Sequence, residues 1–311
     1  MQCGFLDHPV WGTLNAYNLT TGRNVNQQIS IVTDSSVDLP AAETARLGIE
    51  TAPLQVAFST EFFRDDALDR VEFYRRLKDE PRLPTIAAAM PTDFLAAYRK
   101  AHERGERVLC LINPFESCST YTAAYSAAVV AKRDSQIEVE VMNTGRALTA
   151  LGAVAIGAAE MAVRGAELND IIKAIEEATP QIDSFYAPTT NDYLRRDGRI
   201  SLYEMNVGPL RGMLPLIRVW GRIAVIGKAR TQAENIANML ERAQTQLAGS
   251  EAIVLITHAN NPEGAKALAA DAHRSLKCAK LIVTPLGPSA GAYCGEGTVG
   301  LGFCPSLQKL N

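Results

Sequence analysis

The alternation of strand and helix signals in the first half of the chain is the feature that most restricts its fold. β-branched runs typical of buried strands begin at Ile29, Arg107 and Ile137. Segments typical of helices lie between and after them, including Thr120–Lys132 and Ala147–Val163. Strands joined through helices pair in parallel, and such a sheet is covered by helices on both faces. The pattern predicts an N-terminal α/β domain with a mainly parallel sheet.

A hairpin signal distinguishes the second half of the chain. The apolar runs Leu216–Trp220 and Ile223–Ile226 lie on either side of a Gly-Arg dipeptide, which is typical of a β-turn. Strand signals follow at Ala252–Thr257 and Lys280–Pro285, with a helical segment between them. A hairpin among parallel signals predicts a second, C-terminal α/β domain with a mixed sheet.

The length of 311 residues also favours two domains. We place the N-terminal domain at residues 28–170 and the C-terminal domain at residues 171–311. Residues 1–27 show no clear periodicity and are interpreted as an extension outside the fold. They lack the basic-then-apolar pattern of a signal peptide, and the six cysteines form no CxxC pair. These two observations favour the cytoplasm.

Composition and spacing exclude several classes of function. The formal net charge of −3 provides no bulk attraction for nucleic acid. The four histidines do not cluster, so we expect neither a metal site nor another cofactor. Ala147–Val163 is apolar but short, and Glu160 interrupts it, so we interpret it as a buried helix rather than a membrane span.

Polar residues gather after successive predicted strands. The strand that begins at Ile29 ends in Thr33, Asp34 and Ser35, and a further polar loop spans 113–120. Ligands of open α/β sheets bind outside the carboxyl ends of the strands, and free N–H groups at a helix N-terminus favour an anion. We therefore expect one crevice at this edge. The same hydroxyls could instead only cap a helix.

Two arginines and one cysteine offer further chemistry. Arg199 follows an Asp-Gly turn, and Arg230 follows the hairpin. Each guanidinium could bind a carboxylate or a phosphate, or could be a solvated surface group. Cys118 lies near a predicted helix N-terminus, where a thiolate would be stabilised. Nucleophilic catalysis would also need a base, and none is evident, so we expect a protein that is not an enzyme and keep a thiol-dependent acyl-transfer enzyme at Cys118 as the alternative.

Seven blocks between Ile29 and Phe303, in order, resemble the DegV family of two-domain lipid-binding proteins. The blocks are IVTDSSVDLP, APLQVAF with FRDDALDRVEFYRRL, LPTIAAAMPTDFLAAY, CSTYTAA, YLRRDGRIS, GKARTQAEN and LGPSAGAYCGEGTVGLGF. The resemblance implies a DegV-like fold in which the two α/β domains enclose a ligand crevice.

The resemblance also implies a ligand. Proteins of this family bury a long-chain fatty acid between their domains, with its carboxylate held by polar groups. Some present the acyl chain to a kinase subunit that makes acyl phosphate for phospholipid synthesis. We therefore expect a cytoplasmic carrier of a fatty acid or similar amphiphile, with a fatty acid kinase subunit as partner and transient contact with membranes. Each methylene withdrawn from water gains roughly 0.8 kcal/mol.

The family's site residues are partly retained in this chain. The retained positions are Thr33, Asp34, Ser35, Thr120, Arg199 and Arg230. The replaced positions are Ile86 and Ala87 for a threonine and a serine, Cys118 and Ser119 for a serine and a glycine, and Tyr293 for a histidine. Ile86 and Ala87 cannot hydrogen-bond through their side chains, whereas Tyr293 can donate. Three interpretations follow: a repositioned carboxylate, a different amphiphile, or a regulatory protein of this fold that has lost lipid binding.

Overall fold

The structure is a computed structural model that describes residues 17–18, 23–24, 28–113, 119–201, 204, 206, 208–220 and 222–308. Most of the predicted extension at residues 1–27 lies outside these ranges. Its described part is an antiparallel pair of two-residue strands, β1 (Tyr17–Asn18) and β2 (Arg23–Asn24).

The rest of the described chain is built from strands and helices. The strands are β3 (Ile29–Asp34), β4 (Glu50–Ala52), β5 (Gln55–Phe58), β6 (Glu61–Arg64), β7 (Thr85–Ala87), β8 (Arg107–Ile112), β9 (Glu138–Asn143), β10 (Asp183–Ala187), β11 (Leu214–Val219), β12 (Ile223–Ala229), β13 (Ala252–His258), β14 (Cys278–Pro285) and β15 (Val299–Pro305). The α-helices are α1 (Ala41–Leu47), α2 (Arg70–Asp79), α3 (Pro91–His102), α4 (Ser119–Ser135), α5 (Leu148–Val163), α6 (Leu168–Ala178), α7 (Asp192–Arg196), α8 (Gln232–Leu247), α9 (Pro262–Ser275) and α10 (Pro288–Cys294).

The N-terminal sheet has the order β4-β3-β8-β9, and all of its pairs are parallel. Side chains alternate between its two faces, as the pleat of a strand requires. Ile29 and Ile31 pack towards α5, whereas Val32 packs against Phe94 and Tyr98 of α3 and against α4. Helices therefore cover both faces, which confirms the predicted parallel sheet.

The C-terminal sheet has the order β12-β11-β10-β15-β13-β14, and its β13–β14 pair is parallel while the other pairs are antiparallel. The hairpin predicted from the Gly-Arg dipeptide is the pair β11–β12. Helices α8 and α9 cover one face of this sheet through residues such as Met239 and Leu268. The predicted mixed sheet is confirmed.

Helix α5 lies between the two sheets and packs on both. Its side chains share one apolar core with Ile31 of β3 and with Ile253 and Leu255 of β13. A Cβ on Gly152 would lie 2.9 Å from both the Leu255 side chain and the carbonyl oxygen of Val37, so glycine permits this close approach. The apolar run is a buried helix, as predicted, and the described residues contain no helix long and apolar enough to cross a membrane.

A small antiparallel sheet of order β6-β5-β7 differs from the sequence-based prediction. The apolar segment Ile49–Ser59 predicts one strand, in which Pro53 indicates an edge or an irregularity, and the segment from Pro84 to Pro91 predicts a loop. The structure divides the first segment into β4 and β5 on either side of Pro53, which cannot donate to a ladder. The short strand β7 then brings Ile86 beside Val56 and onto one wall of a cavity.

Candidate ligand-binding crevice

A cavity of about 550 Å³ lies at the carboxyl ends of β3 and β8 and is bounded by α10 from the C-terminal part of the chain. We call it the crevice. Its apolar wall is formed by Leu54, Ile86, Ala87, Ala88, Ala89, Met90, Pro91, Ala123, Ala147 and Leu148. Its polar wall is formed by Asp34, Ser36, Asn113, Ser119, Thr120, Ser289 and Tyr293. The volume and the apolar character suit a small-molecule site.

Asp34, the last residue of β3, supplies a carboxyl group to the crevice wall. It is 4% exposed, and its Oδ1 accepts the backbone N–H of Ser36 at 2.9 Å. Burial raises the pKa of Asp34 to about 6, and nearby Asp65 acts in the same direction, while the hydrogen bonds from Ser36 oppose it. This carboxyl group therefore changes charge near neutral pH.

Thr33 and Ser35, the neighbours of Asp34, do not line the crevice. Thr33 is fully buried on the opposite face of β3, because side chains alternate along a strand. The Ser35 hydroxyl donates to Asp65 at 2.7 Å and accepts the backbone N–H of Leu54 at 2.9 Å. Of the retained turn, Asp34 is the residue that reaches the cavity.

Besides Asp34, four predicted site residues on β7 and α4 line the crevice. Ile86 and Ala87 lie on β7, and Ser119 and Thr120 form the first turn of α4. Cys118 lies outside the described residues, so its role and the acyl-transfer alternative stay predictions. The crevice is open rather than filled by its own side chains.

Tyr293 lines the crevice, but the two predicted arginines do not. The guanidinium of Arg199 lies over the Tyr293 ring, 4.9 Å from its centroid, and pairs with Asp197 at 2.5 Å. Arg199 thus contacts a residue of the crevice wall but does not itself line the crevice. Arg230 is exposed at the end of β12, and its backbone N–H donates to Glu234 at 2.9 Å.

Asn113 and Ser289 also line the crevice, although the sequence did not single them out as ligands. They are 5% and 7% exposed. Within the described residues, neither the Asn113 side-chain nitrogen nor the Ser289 hydroxyl has a hydrogen-bond partner. Asn113 directly follows a strand, which is a usable signal. Ser289 reaches the site through a contact between distant parts of the chain, which spacing does not show.

A charged cluster holds α10 against the opening turn. One Asp38 carboxylate oxygen accepts the backbone N–H of Gly287 at 2.8 Å, immediately before α10. Arg70 lies 3.5 Å from the other oxygen of Asp38 and 2.5 Å from Asp65. Burial raises the pKa of Asp38 to about 7, although Arg70 opposes the shift. This cluster fixes the helix that carries Ser289 and Tyr293.

Clusters of three or more His, Cys, Asp or Glu side chains arranged to hold a metal do not occur in the part of the chain that the structure describes. Partial charges at the crevice come instead from helix ends. The first turns of α3, α4, α5 and α10 border the cavity, through Pro91, Thr120, Leu148 and Ser289. The N-terminus of a helix carries a partial positive charge of about half a unit.

Comparison with known proteins agrees with this architecture over nearly the whole chain. The DegV domain-containing protein SCO2569 of Streptomyces coelicolor is 30% identical over 279 residues, covering 89% of this chain and 98% of that protein. The fatty-acid-binding DegV family protein of Thermus thermophilus has a TM-score of 0.77 at 25% identity and covers 89% of this chain and 99% of that chain. DegV of Bacillus subtilis, described as a fatty acid binding protein, has a TM-score of 0.75 at 25% identity over 90% and 99%.

The sequence model for uncharacterised proteins of the DegV family matches residues 28–306, which begin at β3 and end just after β15. The match includes every described residue of the crevice wall. The resemblance inferred from seven sequence blocks is thereby confirmed, and this chain belongs to the DegV family.

Proposed function

We propose that the protein is a carrier that buries a fatty acid or a similar single-chain amphiphile in the crevice. The observation that carries the proposal is the cavity of about 550 Å³, whose apolar wall faces a cluster of polar side chains. An acyl chain gains roughly 0.8 kcal/mol per methylene on leaving water, so an apolar wall favours its binding. The relatives described as fatty-acid-binding, at 25% identity, support the same class of ligand.

Lipid extraction of the purified protein followed by mass spectrometry tests this function. We expect a bound single-chain lipid, or uptake of one after delipidation. Protein that carries no lipid and takes up none would contradict the proposal.

Filling the cavity with a large side chain provides a mutational test that has a matched control. Ala88 is half-buried on the crevice wall, so Ala88→Trp should occupy ligand volume and reduce lipid uptake at least tenfold. Thr85→Trp is the control, because Thr85 lies three residues earlier, on β7, but is exposed and does not line the crevice. Equal uptake by both variants would show that the lipid binds elsewhere.

We further infer a role in the cytoplasm as the lipid-presenting partner of a kinase, with transient contact at a membrane. This part rests on the family resemblance. The kinase would transfer the terminal phosphoryl group of ATP to a carboxylate oxygen of the lipid, giving acyl phosphate and ADP. Lipid-loaded protein mixed with a candidate kinase subunit and ATP should yield an acyl phosphate, trapped with hydroxylamine as the hydroxamate. Failure to form it, with lipid bound, would remove the kinase role only.

A further inference from the structure

The side chains of β7 offer a polar head group no hydrogen bond. Ile86 and Ala87 occupy the positions that the family resemblance assigns to a threonine and a serine, and both line the crevice. Neither side chain can donate or accept. A head group placed against them would leave water without gaining a side-chain partner from β7, which is unfavourable. A lipid head therefore gains more at another part of the crevice wall.

Asn113 and Ser289 are the buried polar groups of the wall that lack partners. Asn113 is 5% exposed, and Ser289 is 7% exposed. Among the described residues, neither the Nδ2 atom of Asn113 nor the Oγ atom of Ser289 has a hydrogen-bond partner. Folded proteins leave few buried polar groups unsatisfied. A ligand that bonds to both groups supplies the partners that the fold does not.

Asn113 and Ser289 reach the crevice from opposite halves of the molecule. Asn113 directly follows β8 of the parallel sheet, whereas Ser289 lies in the first turn of α10, after β14 of the mixed sheet. Asp38 holds the start of α10 in place by accepting the backbone N–H of Gly287 at 2.8 Å. Both side chains line the same cavity of about 550 Å³, so one head group between them would connect the two halves.

Helix ends make this part of the molecule attractive to negative charge. Helices α3, α4 and α5 all begin at the crevice wall. The N-cap residues of α3 and α5, Met90 and Ala147, provide no capping side chain. Each N-terminus carries about half a positive charge, so the three together exceed the single negative charge that Asp34 can carry. The surroundings therefore favour an anionic head group.

We propose, on the basis of the carrier function above, that the crevice binds the carboxylate of a fatty acid between Asn113 and Ser289. The Asn113 amide donates to one carboxylate oxygen, and the Ser289 hydroxyl donates to the other. The acyl chain lies along the apolar residues of β7 and of the segment that follows it. These two donors supply the hydrogen bonds that Ile86 and Ala87 cannot make, and the bound head joins the parallel sheet to α10.

Titration of oleate into the delipidated full-length protein at pH 7 tests the two donors. Asn113→Ala and Ser289→Ala should each weaken oleate binding about tenfold, because each removes a hydrogen bond to a charged acceptor. Ser30→Ala is the matched control. Ser30 lies on β3, is also buried with a hydroxyl that has no partner among the described residues, and does not line the crevice. We expect the control to bind oleate as the wild type does.

The double variant shows whether one head group contacts both side chains. Residues that share a partner are energetically coupled, whereas independent residues contribute additively. Two independent tenfold effects would weaken binding about a hundredfold. The variant that combines Asn113→Ala with Ser289→Ala should weaken it by clearly less, because loss of either donor already releases the head. A full hundredfold loss would overturn the bridging head group.

Methyl oleate separates a head contact from a general disturbance of the crevice. It keeps the acyl chain but loses the charge, so the two single variants should weaken its binding less than they weaken oleate binding. Asn113→Asp keeps the side-chain size and adds a negative charge, so it should weaken oleate binding more than Asn113→Ala does. Equal losses for oleate and methyl oleate in every variant would overturn the contact with the carboxylate.

Oleate labelled with carbon-13 at its carboxyl group locates the head directly. In NMR spectra of the complex, the carboxyl resonance should move in Asn113→Ala and in Ser289→Ala and stay in place in Ser30→Ala. An oleate affinity and a resonance that neither alanine variant changes overturn the placement of the head but leave the carrier function intact. A wild-type protein that binds neither oleate nor methyl oleate overturns the carrier function and the placement together.

Discussion

Asp34 and Asp38 lie in one short turn of the chain, and folding removes both of their carboxyl groups from water. Both are less than a tenth exposed. Burial raises the pKa of Asp34 to about 6 and that of Asp38 to about 7. The folded protein therefore binds more protons than the unfolded chain between about pH 4 and pH 7. In that range, the free energy of unfolding falls as pH rises.

This shift predicts a protein that is more stable at pH 5 than at pH 8. The two carboxyl groups together should lower the free energy of unfolding by roughly 2–4 kcal/mol over that interval. His258 acts in the opposite direction, because burial lowers its pKa. Urea unfolding of Asp34→Asn and of the wild type isolates one group: the variant should lose about 1 kcal/mol less between pH 5 and pH 8. Identical pH dependence would contradict the raised pKa of Asp34.

Some of the residues that the sequence predicts for the site line the crevice and others do not, and the direction of each side chain makes the difference. Asp34 reaches the crevice while Thr33 and Ser35 do not, because strand alternation and a hydrogen bond to Asp65 direct them elsewhere. Arg199 contacts Tyr293 rather than the cavity. Chain order identifies the loop in which a residue lies, but the direction of each side chain depends on packing that only the fold defines.

At the scale of elements, long periodic segments were predictable and short ones were not. The sequence predicts strand β8 with the observed bounds Arg107–Ile112, because an unbroken apolar run follows its exposed first residue. Strands β6 and β7 are exposed or half-buried along most of their length, so they lack a burial pattern. Their pairing is decided by β5, which lies between them, and β7 in turn forms part of the site.

The anchor of α10 is an element-scale feature with a direct test. A Cβ on Gly287 would lie 2.1 Å from the Asp38 carboxylate and 3.1 Å from the Arg70 guanidinium. Gly287→Ala should therefore displace the start of α10, lower the free energy of unfolding by about 1–3 kcal/mol and weaken lipid binding. Urea unfolding and ligand titration measure the two effects.

The control for this prediction is Gly227→Ala in β12, where a Cβ would meet its nearest neighbour, Leu216, at an ordinary 3.5 Å. We expect the control to bind lipid as the wild type does. A Gly287→Ala variant with wild-type stability and affinity would show that the contact between Asp38 and Gly287 does not position the helix.

At the scale of the whole molecule, α5 joins what the sequence divides into two domains. The layers follow one another as α3 and α4, the parallel sheet, α5, the mixed sheet, and then α8 and α9. One face of α5 packs against β3 and another against β13 and β15, in a single apolar core. The boundary predicted near residue 170 would leave α5 with the N-terminal part and expose the face that packs on the C-terminal sheet.

This shared core predicts that the two halves unfold together. Removing residues 171–311 would expose apolar surface on α5, so a fragment of residues 28–170 should not fold cooperatively by itself. In the full chain, urea should produce one transition. Fluorescence of Trp220, made the only tryptophan by Trp11→Phe, reports the β11–β12 hairpin, and hydrogen exchange of peptides from β3 and β8 reports the other half. Midpoints that agree support one cooperative unit, because each sheet then depends on the same helix. Separate midpoints, or a cooperatively folding fragment, would mean that α5 is stable on the parallel sheet alone and that the crevice can open by separating the two sheets.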